Sequence, residues 1–307
     1  MFNEFLEELD QKSIKVVFSD GKLKYEGPEN NITPELIEKL KKFKSSLIKY
    51  HWPPECYNMM PINPLGSKIP FVLVYFEIMN YPLSDYFGKD QPFYGFLHYG
   101  SKGEKVKFKN VESFAADYII QLQKVIPKGP YFLGGFSFGG VLAFEMAMQL
   151  RKAGYEVPFL ALLDSNTALT IDDPFRWHNS LFKIVKSNFL GPIRLKMKRL
   201  HKLFVCNIFL FIRKPVPVSL RNFYIGSKYK KLTLKYKPEK FNGEVLLFRS
   251  DMTNPDYKYN GWESYVEKIN LVNFKGGHLT IAREKAYAKI IGKEFMSHLA
   301  KVYKPSL

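Results

Sequence analysis

Apolar positions divide the chain into two regimes. Phe2, Phe5, Leu6 and Leu9 recur at i, i+3, i+4 and i+7, the spacing of one helix face. Ile14-Lys-Val-Val-Phe18 then alternates and is rich in β-branched residues. Asp20-Gly21 supplies a tight turn, and Lys22-Leu-Lys-Tyr25 alternates again, which predicts a hairpin. Thr33-Pro34-Glu35 predicts a helix start: a capping hydroxyl, a proline in the first turn and an acid near the positive end of the dipole. Leu36, Ile37, Leu40, Phe43, Leu47 and Ile48 follow as one apolar stripe. Helix, hairpin, helix over residues 1–51 reads as a self-contained α+β module, too small to house an active site.

Residues 52–68, rich in Pro and Asn, read as a linker. Beyond them the pattern changes to continuous apolar runs, as strands buried on both faces should show. Pro70–Tyr75, Pro92–Phe96, Tyr131–Gly135, Phe159–Leu163 and Val245–Phe248 are such runs. Val111–Val125 and Val141–Arg151 are helical, and Gly154 is a natural stop. Strand–helix alternation predicts the α/β class, a mostly parallel sheet covered by helices on both faces. No internal repeat or low-complexity tract interrupts it.

With 307 residues and 46% hydrophobic content, the chain can bury a substantial core. Cys56 and Cys206 are too isolated for a disulfide framework or a metal motif, so a reducing cytoplasm is the expected setting. The N-terminus lacks an apolar signal core. Leu203–Ile212 is apolar but, at about ten residues, too short to span a bilayer. It reads first as a buried lid helix; Lys202 and Arg213 at its ends leave a membrane-surface helix as the alternative. The net charge is +17, and between Asp173 and Glu239 about sixteen Lys and Arg stand without one acid. Such a patch attracts nucleic acid, anionic lipid or an acidic protein, or is simply a solvated face. No nucleic-acid-binding motif accompanies it.

Candidate chemistry centres on Gly135-Phe-Ser-Phe-Gly139, a G-x-S-x-G pentapeptide between a strand and a helix. The glycines let strand and helix pass closely, so that Ser137 projects from a sharp turn and the Phe138 N–H faces a developing oxyanion. A serine hydroxyl needs a base. Of six histidines, His278 lies in the glycine loop Lys275-Gly-Gly-His-Leu279 between the last strand and the final helix. His298 falls inside that helix, and His51, His98, His178 and His201 lack a glycine-loop setting. Two acids end strands at suitable places, Asp164 and Asp251, and spacing does not choose between them.

Gly134–Leu150, Leu162-Leu-Asp-Ser165, Gly276-Gly-His-Leu-Thr280 and Lys89–Gly95 together resemble the type I thioesterase domains of nonribosomal-peptide and polyketide synthetases, over about residues 60 to 303. That resemblance implies an α/β-hydrolase fold, with Asp164 as the acid beside Ser137 and His278, and a thioesterase domain over 69–307. It implies an acyl or peptidyl thioester substrate, borne on the phosphopantetheine arm of a carrier protein. It implies no metal and no organic cofactor. The basic segment, about 166–240, resembles the family's helical lid, and its charge would steer an acidic carrier domain. Residues 1–51, with Ile32-Thr-Pro-Glu-Leu36, resemble the TubC-type N-terminal docking domain, which implies capture of an upstream synthetase subunit through an exposed strand edge. One departure stands out. The family's glycine-bearing oxyanion loop is replaced here by Tyr75-Phe-Glu-Ile-Met-Asn80, leaving Phe76 or Glu77 as the source of the second N–H.

The expectation is therefore a cytoplasmic serine-hydrolase thioesterase that releases a carrier-bound chain by hydrolysis or ring closure. The competing readings are a general carboxylesterase or lipase, and a docking protein with weak catalysis.

Overall fold

The computed structural model describes residues 1–19, 22–64, 66–75, 77, 83–88, 90–171 and 191–303. The N-terminal module comprises α1 (Phe2–Gln11), the antiparallel pair β1 (Lys15–Ser19) and β2 (Lys22–Glu26), then α2 (Pro34–Lys42) and α3 (Lys44–Tyr50). Its own core gathers Phe5, Leu9, Ile14, Val16, Leu36, Leu40 and Leu47. The Thr33 hydroxyl accepts the Leu36 N–H at 3.2 Å, the cap expected from Thr-Pro-Glu. The stripe expected as one helix is two, separated at Phe43.

Among the described residues seven strands form the main sheet in the order β3-β5-β4-β6-β7-β8-β9: β3 (Met59–Asn63), β4 (Phe71–Val74), β5 (Phe93–Phe96), β6 (Phe132–Phe136), β7 (Phe159–Leu163), β8 (Phe241–Ser250) and β9 (Val266–Phe274). All neighbours are parallel except β3, which pairs antiparallel with β5 at the edge. This corrects the linker expected over 52–68. The proline of Met59-Met-Pro-Ile-Asn63 is tolerated on an edge strand, where no second neighbour needs its missing N–H. The segment is also tied down at Trp52, which stacks on Tyr94 and donates to the Met59 carbonyl at 3.0 Å.

Strand side chains alternate between two cores. Val72, Val74, Leu133, Leu160 and Leu162 face one, with α4 (Val111–Val125) and α5 (Phe138–Lys152) packed over them. Phe71, Leu73, Phe132, Phe136 and Leu163 face the other, beneath Ile291, Phe295 and Leu299 of α9 (Lys285–Tyr303). Ile48 of α3 is buried in the first of these cores, so the module's last helix is shared with the large domain.

Between β7 and β8 lie α6 (Ala168–Ile171), α7 (Gly191–Phe211) and α8 (Val218–Lys235). Helix α8 is fastened to the body. The Tyr229 hydroxyl donates to the Tyr99 carbonyl at 2.7 Å, the Val106 N–H donates to the Tyr224 hydroxyl at 3.1 Å, and the Arg221 guanidinium reaches the Ser101 carbonyl at 3.2 Å. Helix α7 packs on α8 through Cys206, but among the described residues its outer side meets no partner. Phe204 and Phe211 are 65% and 88% exposed. The expectation of a buried lid helix at Leu203–Ile212 is therefore corrected: among the described residues one side of the run is packed and the other is exposed.

Candidate active site

The C-terminal ends of β4, β6, β7, β8 and β9 point to one rim of the sheet, where parallel folds leave room for a site. At the end of β6 the chain turns at Ser137, whose φ of 55° and ψ of −123° lie outside the ordinary L-residue regions. The turn is possible because its neighbours are bare. A Cβ at Gly135 would overlap the Gly139 carbonyl, and one at Gly139 would stand 2.6 Å from the Val74 oxygen. The Ser137 N–H is held by the Leu163 carbonyl at 2.9 Å, and α5 begins at once, at Phe138, three residues earlier than its apolar pattern indicated. As a first-turn residue, Phe138 has an N–H with no partner inside the helix, at the positive end of the dipole.

His278 follows the glycine loop after β9. Its Nε2 lies 2.8 Å from Ser137 Oγ and its Nδ1 lies 2.7 Å from Asp164 Oδ2. Asp164 ends β7 with a φ of 45° and is fully buried. Its other oxygen accepts the Ser250 N–H at 3.0 Å, and its own N–H donates to the Phe248 carbonyl at 2.8 Å. A carboxylate only accepts, so the imidazole proton belongs on Nδ1, leaving Nε2 free to receive the serine proton. Phe136 stacks on the imidazole at 4.9 Å and fixes its plane.

Asp251 is bonded to the loop that carries the histidine rather than paired with the ring. Its Oδ1 accepts the Gly276 N–H at 2.8 Å, while the Ser250 hydroxyl donates to the Gly276 carbonyl. Asp251 thus braces the loop that carries the histidine, and Gly276, at φ 109°, supplies the bend. Of the two acids that spacing left open, the structure brings only Asp164 to the imidazole.

Phe76 lies outside the described residues. On either side of it the loop is anchored. Tyr75, at φ 67°, donates its N–H to the Phe96 carbonyl at 2.8 Å, and Glu77 accepts both the His98 N–H at 2.7 Å and the His98 ring. His98, set aside for want of a glycine-loop setting, thus clamps the loop where a second oxyanion donor is expected. Nothing in the spacing of two residues on different strand ends announces the pair.

An aromatic wall closes the site. Tyr229 of α8 stacks on Phe138 at 4.4 Å and on Tyr75 at 5.6 Å. Burial pushes the Tyr75 hydroxyl well above the usual phenol range, so it remains neutral. Among the described residues no cluster of His, Cys, Asp or Glu side chains could hold a metal ion.

Residues 84–172 match the Thioesterase domain family and residues 3–51 match the TubC N-terminal docking domain family. The dimodular nonribosomal peptide synthase of Bacillus subtilis (strain 168) is 29% identical over 255 residues, 76% of this chain but 10% of that protein. The malpibaldin synthetase of Mortierella alpina is 27% identical over 252 residues, 78% of this chain and 4% of its own length. The chain thus spans a tenth or less of these two relatives. Among solved structures, the NocB thioesterase domain from the nocardicin cluster aligns with a TM-score of 0.55 at 22% identity, covering 80% of this chain and 99% of that one. The surfactin thioesterase domain SrfTE aligns with a TM-score of 0.51 at 17% identity, covering 82% and 98%. At such identities the likeness is one of fold, that of the α/β-hydrolase thioesterase domains.

Proposed function

For a chain that carries a thioesterase domain behind a TubC N-terminal docking domain, we propose a serine hydrolase that unloads an acyl or peptidyl chain from a carrier-protein thioester in nonribosomal peptide or polyketide synthesis. The observation that carries this reading is the unbroken relay Ser137 Oγ, His278 Nε2, His278 Nδ1, Asp164 Oδ2 at hydrogen-bond distances.

Ser137 Oγ attacks the thioester carbonyl while Nε2 takes its proton, and Asp164 stabilises the resulting imidazolium. The Phe138 N–H, with a second donor from the Tyr75–Glu77 loop, receives the oxyanion. The tetrahedral intermediate collapses, the C–S bond breaks, and His278 returns the proton to the phosphopantetheine thiolate. Water, or a hydroxyl or amine of the chain itself, then attacks the Ser137 ester through the same base, giving an acid or a ring. None of these steps calls for a metal or an organic cofactor. The aromatic wall of Tyr229, Phe138 and Tyr75 suits an apolar chain and keeps bulk water from the acyl-enzyme.

In this reading residues 1–51 hold an upstream synthetase subunit through the β1–β2 hairpin. Free, buried Cys56 and Cys206 accord with a reducing, cytoplasmic setting. The test is intact-mass analysis of an acyl-loaded carrier protein incubated with the full chain. The expected result is loss of the acyl group from the carrier with transient mass gain on Ser137, and none with Ser137→Ala. Rapid turnover of free small esters with no faster turnover of the carrier-bound thioester would replace this reading with a general carboxylesterase.

A further inference from the structure

Helix α7 presents side chains that the hydrolase chemistry does not use. Met197, Leu200, Phe204, Ile208 and Phe211 follow one another at intervals of three, four, four and three, which puts them on one stripe of the helix. All five are exposed. Over fourteen intervals the stripe runs about 21 Å. Arg194 and Lys198, four residues apart, border the stripe, and Arg213 and Lys214 follow the helix end; all of them are exposed, whereas Lys202 lies over the Phe223 ring of α8, on the seated side. The opposite side, through Cys206, is seated on α8, which is itself bonded to the body. The stripe is thus held outward.

We propose that this face of α7 is an interfacial membrane anchor, inserting its apolar stripe among the acyl chains of an anionic bilayer while the bordering cations meet the lipid phosphates. Three observations favour lipid over a protein partner. The charge is of one sign. From residue 174 to residue 238 no acid interrupts the cations, whereas protein interfaces commonly set register with both signs. The apolar residues run in a single exposed row along the helix, the form in which an amphipathic helix enters the boundary of a fluid bilayer. No described helix is long and apolar enough to cross a membrane, so a helix with one outward stripe lies in the interface plane. Because Tyr229 of the adjoining α8 stacks on Phe138, the anchor would bring the lid side of the site close to the bilayer.

The experiment is sedimentation of the full chain with unilamellar vesicles, either of phosphatidylcholine alone or of equal parts phosphatidylcholine and phosphatidylglycerol. The wild-type chain should bind the mixed vesicles, weakly bind the neutral ones, and release with rising salt. Phe204→Ser with Phe211→Ser should weaken binding to the mixed vesicles about a hundred-fold, as two buried phenyl rings are lost. Lys198→Gln with Lys214→Gln should weaken it about twenty-fold, and only on mixed vesicles. Both variants should hydrolyse a small soluble thioester at the wild-type rate, because neither touches the site; this separates the anchor from the catalytic reading and reports that the fold is intact. Absence of vesicle binding by the wild-type chain at low salt overturns the proposal. So does binding that survives both double substitutions. If the phenylalanine pair instead abolishes capture of an acidic carrier protein, or turns a dimer into a monomer by light scattering, while vesicle binding is unchanged, the face belongs to that partner.

Discussion

Exchanging Asp164 for Asn is the sharpest probe of the site, because the two oxygens of Asp164 have different tasks. One takes the Ser250 N–H at 3.0 Å and the other takes His278 Nδ1–H at 2.7 Å, with the group wholly excluded from water. An amide has one acceptor and one donor end. With its oxygen on Ser250, its NH2 faces Nδ1, which forces the imidazole proton to Nε2 and points a donor at Ser137. Turned round, it buries a donor against the Ser250 N–H. The first arrangement wrongs the tautomer, and for a Ser-His-Asp triad, the role proposed for these residues, that loss is about ten-thousand-fold in turnover, or roughly 5 kcal/mol. Asp251→Asn keeps an oxygen for the Gly276 N–H in an exposed setting and loses only the charge in one hydrogen bond, about 1 kcal/mol or less than tenfold. The assay is steady-state hydrolysis of a small soluble thioester, with a melting curve for each variant. Equal losses in the two variants, or an Asp164→Asn enzyme within tenfold of wild type, would refute the reasoning.

A fluorophosphonate should label the chain once, at Ser137, and Ser137→Ala should remove the label; modification of another serine counts against the assignment. Gly135→Ala should abolish labelling, since the new methyl overlaps the Gly139 carbonyl and the turn cannot form. Burial pushes the Glu145 carboxyl above its ordinary 4.5, though the Tyr236 hydroxyl donates to it at 2.6 Å. The protonated form therefore favours folding below that value, and the contribution fades as pH rises through the raised one. Glu145→Gln should leave the melting temperature unchanged in acid and raise it at neutral pH, and a lower neutral value would contradict this. Ile48→Ala should cost about 2–4 kcal/mol in denaturant unfolding, because this residue of the N-terminal module fills the large domain's core; a loss near zero would mean the two units part freely.

Local pattern alone determined much of this protein. The period of apolar residues marks the helix–hairpin–helix module and the central strands, because amphipathic burial leaves its repeat in any short window. Ser137, the proposed nucleophile, and His278 were legible for a related reason. A strained turn and a sharp loop both demand glycine at fixed offsets, so Gly135, Gly139 and Gly276 advertise Ser137 and His278. What the chain could not announce were choices made by residues far apart in sequence. Asp164 and Asp251 end strands alike, and strand order with register turned the first toward the imidazole and the second toward Gly276. Met59–Asn63 has the composition of a linker, yet the open edge of β5 makes a strand of it. The Glu77–His98 clamp joins the ends of two neighbouring parallel strands. The apolar run of α7 reads the same whether buried or exposed; only the seat of α8 on the body leaves its stripe facing outward. Backbone propensity and hydrophobic period act over a few residues, whereas contact and exposure are properties of the assembled surfaces, and the tertiary structure alone decides them.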